Sequence, residues 1–286
     1  MDAETRFQLQ KATAEQGLLL LRKLLPLVGP IGKYEGWTKE ERDTLRLLLT
    51  ATARSSESVM LLSAWGQLWD AEVVLRSVSE GSMKLAFLWQ DKNQFKQRYA
   101  EYSDALLQIG MLKKHGKAQD FLRAVSNPED PEWAPLRELL MTQEQISAIT
   151  GKYDKAGRRA LESKWGFAGI LGALRRSGDP FYARILGFTH GYSVASNIQH
   201  ADYIGVSMPW DRELRQENTQ DEMHFSHLAR IISDTLTFLF IRLSTGYRYI
   251  DENTFPLSEA LSEIEAVTEK NKRLYEEWLK FSAQKS

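Results

Sequence analysis

The sequence contains no cysteine. Disulfides, thiolate metal sites and cysteine nucleophiles are therefore excluded, and a reducing compartment is compatible with the composition. Charge of one sign is also missing. The formal net charge is −1, so there is no global basic signature for nucleic acid, although a local basic cleft stays open. The first sixteen residues, MDAETRFQLQKATAEQ, lack the charged-then-apolar plan of an export signal. A cytoplasmic location away from membranes is the expectation. Alternation of apolar and polar residues is nowhere sustained, and neither an internal repeat nor a low-complexity tract occurs. A glycine-rich phosphate loop is absent too: GFAGILGAL lacks the lysine and the preceding strand. No Gly-x-Ser-x-Gly nucleophile turn appears.

What is present is helical. With 286 residues, 43% of them hydrophobic and 26% charged, the chain has enough apolar material for one large helical domain over 1–286. The organising stretch is Ser55 to Asp91, which has no proline and places apolar residues on nearly every side of a helix. A helix apolar all round is a buried one. Asp70, Glu72, Arg76, Glu80 and Lys84 interrupt it; a membrane span of about 20 residues would carry few charges. Gly66 and Gly81 mark places where it would bend or break, since each weakens a helix by about 1 kcal/mol.

Around this helix the expectation is an all-α multi-helix bundle of about eight to ten helices. Residues 2–28 read as one amphipathic helix ended by Pro26, Gly29 and Pro30. Thr38 and Glu41 form a capping box that opens a second, and Thr142 and Gln145 open a later one. Phe95 to Leu112 has helical periodicity, and the basic run at Lys113–Lys117 reads as a turn. Residues 126–165 are the least regular part, an inserted lobe or a lid. Asp179-Pro180 starts a helix expected to reach about His200, 203–218 reads as an exposed loop, and apolar helices follow over 221–243 and 258–281.

Chemistry concentrates in YSVASNIQHAD. Tyr192, Ser196 and His200 are spaced four apart, so phenol, hydroxyl and imidazole lie near one helical face, with Asn197 one position round. Arg76 and Glu80 are one turn apart on the central helix. One reading makes these groups a buried hydrogen-bond network that fixes helix packing. His224 and His227 with Asp221 offer a weak divalent-metal pattern, because spacing three is less telling than spacing four. The plainer reading of TQDEMHFSH is a polar first turn, and no metal or cofactor is expected. Basic residues at Lys152–Arg159, Arg175-Arg176 and Lys113–Lys117, with Tyr153, Trp165 and Phe167 nearby, form a phosphate-contacting surface if they fold to one side.

Two blocks carry a resemblance: VLRSVSEGSMKLAFLW running into FKQRYAEY, and Trp165 in SKWGF followed by Tyr-x3-Ser-x3-His. They resemble a large bacterial family of uncharacterised all-helical proteins. That family is in turn similar to the HEPN domains of toxins and phage-defence systems. The resemblance implies a HEPN-like core with extra helices and a metal-independent ribonuclease completed at a homodimer interface. It also implies RNA and a defence-system protein as partners. The HEPN signature is an Arg, four to six residues, then a His. Ser193 and Val194 stand where that arginine would precede His200, whereas Arg184 to His190 has five residues between. The site residues implied are His200 and His190 as acid and base groups and Arg184 or Arg76 as phosphate clamp. Glu80 would hold Arg76, and Tyr192, Ser196 and Asn197 would orient substrate or histidine. The alternative is a non-catalytic helical interaction or sensor module with a buried Arg-Glu-Tyr-Ser-His network.

Overall fold

The computed structural model describes residues 2–183 and 185–283. No strand occurs among them, so the chain is all-α. Fourteen α-helical segments are present among the described residues, and the contacts divide the chain into two units, 1–91 with 173–286 and 92–172.

The larger unit contains α1 (Ala3–Leu24), α2 (Gly29–Lys33), α3 (Lys39–Ala64) and α4 (Leu68–Trp89). The expected helix over 2–28 stops at Leu24, and a 3-10 turn carries Pro26 into α2. Thr38 and Glu41 form the capping box at the start of α3, each satisfying the other's free amide. The organising stretch is two helices rather than one. Gly66 takes the left-handed conformation at φ +78°. Its N–H bonds to Ser63 O and that of Gln67 to Leu62 O, a Schellman cap that terminates α3. The buried core helix is therefore α4. Leu68, Val78, Met83, Leu85, Ala86 and Leu88 are all buried on it, while Leu61 and Trp65 on the other side of the break are exposed. Gly81 sits inside α4 without interrupting it.

The same unit is completed by α11 (Phe188–Gln199), α12 (Tyr203–Glu213), α13 (Glu217–Ile250) and α14 (Phe255–Ala283). Helix α4 packs against α3, α13 and α11, and α13 packs against α14 and α1. Leu228, Ile231, Ile232, Leu236, Leu239 and Leu243 are buried at helical spacing along α13. Burial of each such side chain contributes roughly 1.5–3 kcal/mol. Arg242 lies in this same row, 1% exposed. It donates to Ser82 Oγ at 2.8 Å, and its burial lowers its pKa to about 9.

Two expectations are corrected near α11. Asp179 caps only a 3-10 turn at Pro180–Tyr182, and the helix itself begins at Phe188. The expected loop at 203–218 is mostly α12, started by Asp202, whose carboxylate accepts from Gly205 N–H. Pro209 inside it hid the helix from a reading of local propensity. Packing overrides that propensity. Gly205 lies so close to α11 that a Cβ there would sit 2.2 Å from Asn197 O.

The smaller unit contains α5 (Phe95–Ala100), a π-turn at Glu101–Ala105, α6 (Leu106–Ala124), α7 (Ala134–Arg137), α8 (Gln143–Lys152) and α9 (Lys155–Trp165). Its boundary with the larger unit falls within α10 (Phe167–Arg176). Thr142 and Gln145 form the expected capping box of α8. Lys113–Lys117 is not a turn but the middle of α6, where buried His115 accepts Met141 N–H through Nδ1 at 3.0 Å. The π-turn presents Glu101, which accepts the Trp165 indole N–H at 2.9 Å and pairs with Lys164. Short helices and turns fill 126–165.

Candidate functional site

Four of the sequence candidates meet where α11 crosses α4. The Arg76 guanidinium donates through Nε to Glu80 Oε1 at 3.2 Å. Through Nη1 it donates to Ser196 Oγ at 3.2 Å and Gln199 Oε1 at 2.7 Å. It also lies 4.7 Å from the Tyr192 ring centroid, a cation–π contact of about 0.5–1 kcal/mol. The Tyr192 hydroxyl donates to Glu80 Oε1 at 2.8 Å. Burial raises the phenol's pKa, and its bond to Glu80 adds to the effect. Lys84 approaches the second Glu80 oxygen at 3.8 Å. The spacing-four pattern on each helix thus becomes one cluster, with Gln199 as an additional member.

The remaining candidates lie outside that cluster. His190 and His200 are both exposed, and neither imidazole hydrogen-bonds to a described residue, although His200 N–H bonds to Ser196 O at 3.0 Å. His200 ends α11, and its imidazole is not part of the Arg-Glu-Tyr-Ser network that was expected to include it. Asn197 contributes its carbonyl, which accepts Asp202 N–H at 3.2 Å. Arg184 lies outside the described residues.

Here the comparisons with known proteins become informative. A family model matches residues 42–208. The chain belongs to DUF5677, a family of unknown function. No curated protein and no solved structure matches it. The matched span holds the whole Arg76 cluster together with His190 and His200, and it ends before the last part of α12.

A second polar cluster begins one turn earlier on α4, at Glu72, which is 1% exposed. Its Oε1 receives His227 Nε2 at 2.6 Å and Arg230 Nη2 from α13. Arg230 Nη1 reaches on to Asp234 Oδ2 at 3.2 Å. Burial pushes the Asp234 carboxyl up to about 6, with the Glu72 charge adding to the effect. Glu72 Oε2 is buried and has no hydrogen-bond partner among the described residues. A cavity of about 20 Å³ is lined by Glu72, Arg230, Asp234, Arg76 and Tyr192, room for roughly one water.

On its other side His227 meets α12. Arg212 Nη2 bonds to His227 Nδ1 at 2.7 Å, and the Arg212 guanidinium lies 4.4 Å from the Trp69 ring centroid. Because guanidinium can only donate, Nδ1 accepts and Nε2 carries the proton toward Glu72. Burial lowers the His227 pKa against the pull of Glu72. The three residues of the weak metal pattern are engaged separately. His224 bonds to Gln10 Oε1 at 2.6 Å, Asp221 lies 2.6 Å from Arg6, and His227 is held by Glu72. No group of three or more metal-ligating residues occurs among the described residues.

The sequence did carry a signal for this second cluster. Glu72, Arg76, Glu80 and Lys84 are spaced four apart on α4, and Arg230 and Asp234 repeat that spacing on α13. Such ladders mark a charged stripe. Part of the basic surface expected elsewhere is paired: Lys152 with Asp104, Lys113 with Glu162, and Arg158 with Tyr153 O.

Proposed function

We propose that this protein is a HEPN-like helical effector that acts on RNA as a homodimer, with His190 and His200 of α11 as its proton-transferring groups. The observation that carries the reading is their exposure: both histidines are exposed on α11, the helix that the Arg76 cluster ties to α4. An exposed imidazole can move a proton to or from an RNA hydroxyl or leaving oxygen without a metal. Arg76 does not serve as the phosphate clamp in this reading. It already has Glu80, Ser196, Gln199 and the Tyr192 ring as partners, so it positions α11. The clamp falls to Arg184.

The homodimer rests on α12. Tyr203, Ile204, Val206, Trp210 and Leu214 are all exposed there, Tyr203 by 85% and Trp210 by 61%. This face starts three residues after His200, so a two-fold pairing of α12 would bring the histidines of two copies to one rim. Five such side chains supply a few hundred Å², less than the roughly 800 Å² each partner of a stable complex buries, so the outer face of α11 takes part too. The defence or toxin-antitoxin setting rests on the HEPN resemblance alone.

The second reading, a non-catalytic interaction or sensor module, is favoured by the completeness of the Arg76 cluster. One experiment separates them. Purified protein is incubated with total and transfer RNA in EDTA, beside His190→Ala and His200→Ala variants of unchanged helicity. Cutting that persists in EDTA and disappears in one variant supports the nuclease. No cutting in EDTA or with added divalent metal, from protein that sizes as a dimer, favours the interaction module.

A further inference from the structure

We propose that the cleft between α4, α11, α12 and α13 binds a singly charged oxyanion carried on a flat apolar ring, with Arg212 as its clamp and His227 as its proton partner. This site is separate from the α11 histidines and does not depend on their role.

The first ground is an uncompensated charge. Arg76, Arg230 and Arg6 each have a carboxylate partner, whereas Arg212 has none within ion-pair distance among the described residues. Its guanidinium is half-buried over Trp69, its one side-chain partner is a neutral imidazole, and its Nε is buried without a partner. Burying a charge without a counter-ion is costly, and an anion in the cleft removes that cost. The second ground is space. The cleft holds about 390 Å³, within the range of small-molecule pockets, and Val194, Met208 and Met223 give it an apolar wall. Flexible thioethers pack well against a planar ring.

Charge counting narrows the class. Arg230 on the cleft wall is engaged by Glu72 and Asp234, and Glu222 also lines the cleft. Arg212 therefore offers one positive charge, and a dianion would meet those carboxylates unbalanced. An aromatic carboxylate and the cyclic phosphodiester of a nucleoside share the required chemistry.

Binding has a consequence at His227. An oxyanion that takes the Arg212 fork leaves Nδ1 facing negative charge, so the imidazole takes a proton from solvent and donates it to the ligand. The groups that face it are Glu72 from α4, Arg212 from α12, and Arg230 and His224 from α13, with Glu222 on the wall and Asp234 beyond Arg230. Burial and the two arginines oppose protonation in the free protein, while Glu72 and the ligand favour it. Affinity therefore rises as pH falls.

The test is a calorimetric titration of the full chain with benzoate and, separately, with cyclic AMP, at pH 6 and pH 8. Arg212→Gln and His227→Gln variants of unchanged helicity are measured alongside, with the histidine ring nitrogens followed by NMR. The expected result is binding of one probe, weakened about ten- to one-hundred-fold in Arg212→Gln. His227→Gln should keep binding but lose the gain on acidification. Benzoate alone would identify a carboxylate site, and cyclic AMP alone a phosphodiester site. If neither probe binds at millimolar concentration, or Arg212→Gln binds as tightly as the native chain, the proposal is overturned.

Discussion

Two polar clusters stand one turn apart on α4, and they are built to opposite plans. Around Arg76 the groups are half-buried and all engaged: guanidinium, carboxylate, phenol, hydroxyl and amide answer one another across α4 and α11. Around Glu72 the groups are deeper and incompletely engaged. One Glu72 oxygen and the Arg212 Nε have no partner among the described residues, Asp234 is pushed toward neutrality, and a cavity and a larger cleft open on either side. A completed network at the surface joins helices at modest free energy. An incomplete one in the interior is destabilising unless something else fills it, and such places are where ligands and proton chemistry are found.

The largest test of this contrast is to neutralise each carboxylate. Glu72→Gln removes the buried anion that His227 and Arg230 share and leaves His227 in the interior without it. It should lower stability by about 3–5 kcal/mol in urea denaturation at neutral pH. Glu80→Gln should cost about 1 kcal/mol, because its partners can turn to water. Equal losses would remove the distinction between the clusters.

The next test is pH. Burial holds His224 down to about 4 from 6.5, so the unfolded chain binds the extra proton between those values and stability falls as pH falls. Asp234 stands at about 6 against 3.8, so the folded chain binds the extra proton and stability rises as pH falls through that window. Each effect is on the order of 2–3 kcal/mol, and in the native chain they oppose. His224→Gln should therefore make the protein gain stability on acidification from pH 6.5 to 4, and Asp234→Asn should make it lose stability. Urea midpoints across that range read both slopes.

Smaller effects are expected at the outer cluster. Arg76→Ala and Tyr192→Phe should each cost about 1–2 kcal/mol, and their double-mutant cycle should show coupling of about 0.5–1 kcal/mol. Zero coupling would mean that the cluster does not act as a unit. His190→Ala and His200→Ala should change stability by no more than about 0.5 kcal/mol, as exposed positions without partners do. A larger loss would mark them as structural and remove them from the proposed site.

Much of the local order was legible in the chain. Both capping boxes form where Thr38 and Thr142 stand, because a cap depends on residues three apart. The apolar row of α13 follows from helical spacing, as does the placing of Arg76 with Glu80, and of Tyr192 with Ser196, on one face of its own helix. Two elements were misread for physical reasons. Gly66 was visible as a weak point, but that it turns the chain from α3 into α4 depends on a left-handed backbone held by the Schellman bonds. Helix α12 contains Gly205 and Pro209, which oppose helix formation locally, and its packing on α11 overrides them. The cleft was lost with it, because Arg212 was assigned to a loop.

Sequence alone determined that the protein is all-α, where several helices start, and that α4 carries charges at four-residue spacing. Those properties arise from backbone hydrogen bonds and side-chain periodicity within a few turns. Only the tertiary structure decided what the charges do. Glu72 meets His227 and Arg230 across separations of 155 and 158 residues. Whether a buried charge finds its counter-ion depends on which helix packs against it, and no local pattern contains that information.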